Sequence, residues 1–291
     1  MDAIGSPAGD GDRQPRGAPR SAAPRCTPIG SPAGDLILEC VDAHPNVRAA
    51  LEAAARPRTS PVRRVGHAIV RAGDDLESLA ERLRGARWEM VELDVLEHRG
   101  ELVVAHDAGD LDHPRPVRFA DALARLRELL ASEVQLDVDL KATGYELAAL
   151  DALREAGLVD RTLVSTMNPS TLRALRAAEP SLRRGLSVPR ARRDHLSHPL
   201  TRPLALAGLA ALRRALPRRA AAVVASGLAS AIMAHWAVIT PGLVAAVAAE
   251  GGELYAWTVD DARRARQLEA LGVTGVIAND ARVFERAGAP A

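Results

Sequence analysis

Apolar and polar positions alternate along this chain in two registers. From about residue 61 onward, short runs of period two are separated by stretches with apolar residues three and four apart, so strands are expected to alternate with helices. The run RVGHAIV, carrying His67, predicts a first strand, and Asp74–Arg84 predicts a helix behind it. Val91–Asp107, VELDVLEHRGELVVAHD, reads as a β-hairpin with a tight polar turn at Glu97–Gly100. Phe119–Leu130 then predicts an amphipathic helix leading into the strand VQLDVDLK.

After that strand the alternation is regular: helix Glu146–Ala156, strand TLVST, helix Pro169–Ala178, strand RGLSV and a long segment Pro189–Arg219. A strand around Ile232–Ile239, helix Pro241–Glu250, strand LYAWTV, helix Asp261–Leu271 and strand GVIAN complete the chain. Strands separated by helices of roughly 10–15 residues imply βα units and a parallel sheet. With the hairpin counted as one unit there are about eight strands, the number that closes a TIM (β/α)8 barrel. The expected fold is therefore an α/β barrel over residues 61–286, with a β-hairpin inserted after strand 2.

Upstream, the pattern changes. Residues 1–35 are rich in Pro, Gly, Ala and Arg and repeat IGSPAGD at Ile4–Asp10 and Ile29–Asp35, a composition that buries too little apolar surface to order itself. A disordered tail is expected there, followed at 36–60 by a helical extension or linker. The start is acidic and Gly/Pro-rich where a secretory signal is basic and then apolar, and no apolar run reaches the ~20 residues of a spanning helix, so a cytoplasmic location is expected. Cys26 and Cys40 lack metal-type spacing. A net charge of +1 names no polyanionic partner, and 2% aromatic residues leave little for base stacking, which argues against a single-stranded nucleic-acid binder, so no nucleic-acid partner is expected. Pro199–Arg219 joins spaced leucines to Arg202, Arg213, Arg214, Arg218 and Arg219. Such a helix can lie on an anionic membrane, although an outer barrel helix with a solvated edge is the commoner case.

The candidate chemistry sits on the strands. Alternation places Glu92 and Asp94 on one face, and Asp137, Asp139 and Lys141 on one face of the following strand. Carboxylates inside apolar strands are costly unless a cation joins them. Glu92, Asp94 and Asp139 are hard oxygen donors suited to Mg2+ or Ca2+ and unsuited to structural zinc. A structural network with arginines is the other reading of the same acids. His67 and His106 flank this cluster, and imidazoles that titrate near neutrality make a plausible acid/base pair. Lys141 projects into the same site, to hold a phosphate oxygen or to neutralise the acids. Trp257 walls a substrate pocket or fills the barrel, and Asp280 follows the last strand. His98, His113 and His235 read as structural or surface residues.

The order His67, ELDV (Glu92–Val95), VVAHD (Val103–Asp107), LDVDLK (Leu136–Lys141), VSTMNP (Val164–Pro169), AWTV (Ala256–Val259) and GVTGVIAND (Gly272–Asp280) resembles the glycerophosphodiester phosphodiesterases, in particular their actinobacterial-type branch. The similarity runs from about Arg63 to Val283. It implies a TIM barrel that hydrolyses a glycerophosphodiester, a small-molecule substrate, to glycerol 3-phosphate and an alcohol with a divalent metal. By the resemblance Glu92, Asp94 and Asp139 hold the metal and Lys141 is the lysine of the strand motif. His67 and His106 become the catalytic pair, one deprotonating the nucleophile and the other protonating the leaving alcohol.

Three departures stand out. His67-Ala68-Ile69 replaces the usual His-Arg-Gly, leaving Arg71 from the following loop as the phosphate-binding arginine. Ala72-Gly73-Asp74-Asp75 replaces Pro-Glu-Asn-Thr, leaving Asp74 or Asp75 as stand-in for its glutamate, and Asp139 replaces a glutamate. They open two alternatives: a weakened barrel that only binds a phosphodiester or phospholipid headgroup, and a phospholipase acting on intact lipid.

Overall fold

The computed structural model describes residues 62–71, 74, 76–83, 87–114, 116–189 and 202–285. The expected tail and extension, 1–35 and 36–60, lie outside them, as do Ala72, Gly73 and Asp75. Strand β1 (Arg63–Gly66) and helix α1 (Leu76–Leu83) come first, then a three-stranded antiparallel unit, β2 (Met90–His98), β3 (Glu101–Val104) and β4 (Val117–Arg118). The β2–β3 turn is the pair Arg99-Gly100, with φ of 54° and 86°, and two positive φ values give the turn twist that matches a hairpin. The sequence placed this turn correctly but missed the third strand.

Next come α2 (Phe119–Leu129), β5 (Gln135–Leu140), α3 (Glu146–Glu155), β6 (Thr162–Thr166), α4 (Pro169–Ala178) and β7 (Arg183–Val188). The chain ends with α5 (Arg202–Ala225), β8 (Ala231–His235), α6 (Pro241–Ala249), β9 (Glu253–Trp257), α7 (Ala262–Leu271) and β10 (Gly275–Ala278). Eight parallel strands pair in the order β1-β10-β9-β8-β7-β6-β5-β2, and the β1–β2 pairing closes the ring into a TIM barrel.

Two expected boundaries shift. His67 lies just past β1 rather than within it, and the strand expected to reach Ile239 stops at His235, where Trp236–Val238 forms a 3-10 turn. Helix α5 continues beyond Arg219 to Ala225, packing Leu216, Ala220 and Val224 inward at four-residue spacing while Arg213, Arg214, Arg218 and Arg219 stay exposed. It is an outer barrel helix, and no helix of the described residues is long and apolar enough to cross a membrane.

Inside the barrel, Val65, Met90, Leu163, Ala231, Met233, Tyr255 and Ile277 form a packed layer. Below it, at the first residues of four strands, Arg63 Nη1 reaches Glu253 at 2.7 Å and the Tyr255 hydroxyl at 2.5 Å. Arg183 bonds the same glutamate and reaches Gln135 at 2.8 Å, so the N-terminal end is closed by ion pairs. The polar residues of interest lie at the opposite, C-terminal end.

Candidate active site at the barrel mouth

Parallel pairing of β2 with β5 sets the acids side by side. Glu92 is level with Asp137 and Asp94 with Asp139, and alternation turns all four into the barrel. A cavity of about 610 Å³ opens there, lined by His67, Glu92, His106, Asp107, Asp137, Asp139 and Lys141 on one side. Ser165, Met167, Ser187, Met233, Trp257, Thr258 and Ile277 line the other. The sequence-expected residues His67, Glu92, His106, Asp139, Lys141 and Trp257 thus meet in one place, with Asp94 buried beneath them.

Charge within the cavity is unbalanced. Lys141 Nζ lies 2.6 Å from Asp139 Oδ2 and 2.5 Å from Asp94 Oδ1, yet neither Asp94 oxygen makes a hydrogen bond although the residue is only 2% exposed. Burial, then repulsion from Asp94, raises the Glu92 carboxyl well above its ordinary range. Burial and Asp139 push Asp137 up to about 8, and burial also raises Asp139. Burial alone would depress the Lys141 ammonium, but Asp139, Asp94 and Glu92 outweigh it and hold it above its usual value. Four inward carboxylates face one ammonium, and such a cluster of oxygen donors fits a hard divalent cation. Glu92, Asp94 and Asp139 offer ligand atoms within 4.8 Å of one another, and so do His67, Asp94 and His106.

The backbone bends to serve this cluster. Ala68, where the sequence lacks the expected arginine, adopts φ of 43°, a left-handed conformation unusual for a residue with a Cβ. That turn lets its N–H donate to Glu92 Oε2 at 2.6 Å. Tyr145 donates to the Val95 carbonyl at 2.6 Å and accepts from Ala142 N, tying the loop after Lys141 to β2.

The two histidines meet at the cavity mouth edge to face, ring centroids 6.2 Å apart and planes at 73°. His67 Nδ1 lies 2.9 Å from Asn279 Oδ1, while the Asn279 amide donates through Nδ2 to Asp260 at 2.8 Å. His106 Nδ1 lies 3.6 Å from Asp107 Oδ2, and its backbone N–H donates to Asp110. Trp257 donates to the Met233 carbonyl and packs edge-on against half-buried His235, leaving that histidine structural.

Several expected participants are elsewhere. Arg71 does not line the cavity: its Nε donates to the Ala68 carbonyl and its N–H to Asp74. Asp74 is engaged by Arg82 and likewise does not line the cavity. Asp280 turns away and pairs with Arg282. The residue one position earlier, Asn279, is the one that reaches the site, and with Asp260, Ser165 and Ser187 it went unnoticed in the sequence. Strand parity was the available signal, because Ile277 faces inward and Asn279 follows it by two.

A closed barrel whose mouth combines buried acids, a lysine and two histidines defines a hydrolase of the (β/α)8 class. The chain belongs to the glycerophosphoryl diester phosphodiesterase family, phosphoric diester hydrolases, whose model matches residues 131–283. Asp139, Lys141 and Trp257 lie within that segment, whereas His67, Glu92, Asp94 and His106 precede it. A comparison with curated proteins returned no match.

Solved structures share the fold. A glycerophosphoryl diester phosphodiesterase structure from Silicibacter pomeroyi superposes with a TM-score of 0.60 at 17% identity, over 80% of this chain and 95% of that one. A glycerophosphodiester phosphodiesterase from Parabacteroides distasonis gives 0.56 at 15% identity, over 75% and 93%. An Oleispira antarctica phosphodiesterase, in complex with its product sn-glycerol-3-phosphate, gives 0.53 at 17% identity, also over 75% and 93%.

Proposed function

We propose that this chain hydrolyses glycerophosphodiesters to an alcohol and glycerol 3-phosphate at the barrel mouth, with Mg2+ or Ca2+ held by Glu92, Asp94 and Asp139. The observation that carries this reading is the pair His67 and His106 meeting at the mouth of the acidic cavity that contains Lys141. Family membership and the product bound to the Oleispira relative support the choice of substrate.

His67 acts as the base. Asp260 can only accept, so it takes the Asn279 Nδ2–H, Asn279 Oδ1 faces the ring, and Nδ1 carries the proton. Nε2 is left with a free lone pair to receive the proton of the nucleophile. His106 gives a proton to the leaving oxygen. Lys141 holds a phosphoryl oxygen on the side of the carboxylates. A divalent ion bound by the three acids would polarise the phosphoryl oxygens. Trp257, Met167 and Met233 offer an apolar wall to the alcohol.

A second reading rests on Ala68. With alanine at the arginine position and no arginine among the described residues lining the cavity, the barrel binds a phosphodiester or headgroup and turns it over weakly or not at all. Hydrolysis of glycerophosphocholine and bis(p-nitrophenyl) phosphate by wild type and His106→Ala, with Mg2+, Ca2+ or Mn2+, separates the two. Divalent-dependent turnover lost in His106→Ala is expected, and an inert wild type across that panel leaves the binder.

A further inference from the structure

Asp94 belongs to two ligand groups at once. Besides the three carboxylates, it shares a set with His67 and His106 whose ligand atoms all lie within 4.8 Å of one another. This second set has two nitrogens and one oxygen, a composition that favours zinc- and copper-type ions over Mg2+ or Ca2+.

Three observations make the set a built site. Asp94 is buried, with Lys141 drawn to Oδ1, and neither of its carboxylate oxygens makes a hydrogen bond. Asn279, which Asp260 anchors, holds His67 through Nδ1 and leaves Nε2 for an ion, and His106 has Asp107 beside its Nδ1. Metal-binding histidines are oriented in that way, one nitrogen fixed by an outer partner and the other free for the ion. His106 is exposed and His67 partly so, which gives an ion a path from solvent.

We propose that His67, Asp94 and His106 form a second metal site, of two-nitrogen, one-oxygen composition, which takes a transition-type divalent ion and switches the hydrolase off. The inference rests on the acid/base reading of the two histidines. An ion on both imidazoles occupies the lone pair that receives the nucleophile's proton and displaces the proton destined for the leaving group. The carboxylate cation supports turnover, and the imidazole-bound one stops it.

The probe is Cu2+ at half an equivalent of the intact chain, read by electron paramagnetic resonance, beside steady-state hydrolysis with Mg2+ and added Zn2+. Nitrogen superhyperfine structure from two imidazoles is expected in wild type and from one in His106→Ala or His67→Gln, with circular dichroism unchanged. Micromolar Zn2+ is expected to cut the Mg2+-supported rate at least tenfold, with recovery on chelation. An oxygen-only copper spectrum, or a nitrogen pattern unaltered in both variants, overturns the site even if Mg2+ hydrolysis is intact. The two-nitrogen spectrum in a protein inert toward every diester overturns the switch and the hydrolase reading together, while leaving the metal site standing.

Discussion

His67 Nδ1 lies 2.9 Å from Asn279 Oδ1, and in the proposed mechanism this contact keeps the imidazole proton on Nδ1. Replacing the amide with a carboxylate, Asn279→Asp, favours the charged imidazole, and a base must be neutral to act. The acidic limb of the kcat/KM profile should therefore move to higher pH in Asn279→Asp. Asn279→Ala should lower kcat by about 10–100-fold, the usual effect of losing an orienting partner. A pH–rate profile checks both, and an unmoved limb in Asn279→Asp removes Asn279 from the proton path.

His106→Ala should reduce kcat by about 10²–10⁴-fold, the range for a general acid. The side chain is 55% exposed and outside any strand, so the melting temperature should stay within a degree or two of wild type, as surface substitutions cost little. A large fall in melting temperature would make the loss of rate structural.

At the closed end of the barrel, Glu253 gives a pH signature. Burial pushes its carboxyl up, but Arg183 and Arg63 outweigh burial and leave it below its ordinary value. A folded-state value depressed below the unfolded one contributes stability above the unfolded value, about 4.3, and that contribution disappears as pH falls through the folded value. Glu253→Gln should thus cost on the order of 1 kcal/mol at pH 7, discounted for its partial exposure, and less near pH 3. Urea unfolding at the two pH values measures the difference.

Gly275 faces the ring of Tyr255. A Cβ there would lie 2.6 Å from Tyr255 Cδ1 and 3.2 Å from the Arg63 carbonyl oxygen. Gly275→Ala should destabilise by about 1–3 kcal/mol, the cost of overpacking a filled core. Chemical denaturation checks this, and no change would mean that the tyrosine has room to move.

Most of the barrel was legible because alternation survives in strands such as LDVDLK, where one face is Leu136, Val138 and Leu140 and the other carries the acids. Parallel register then supplied what no single strand could, the level pairing of Asp94 with Asp139. What escaped was governed by backbone geometry and chain separation. The positive φ at Ala68 leaves no compositional trace, since alanine rarely adopts it. Asp260 and Asn279 are 19 residues apart and meet only because β9 and β10 are neighbours. Arg71 and Asp74 were expected in the site for their charge, and that charge is spent on local hydrogen bonds and on Arg82.

Among the described residues, the Arg63–Glu253–Arg183 floor, beneath a packed interior layer, closes the barrel at the end away from the cavity mouth. In the proposed hydrolase, both products must depart through the opening by which the diester arrived. The alcohol, held by the apolar wall alone, goes first. The phosphomonoester, doubly charged and gripped beside Lys141, goes last and blocks the next diester until it does. Inhibition by that product should then be competitive, and the order of release follows from a plug built at the far end of the barrel.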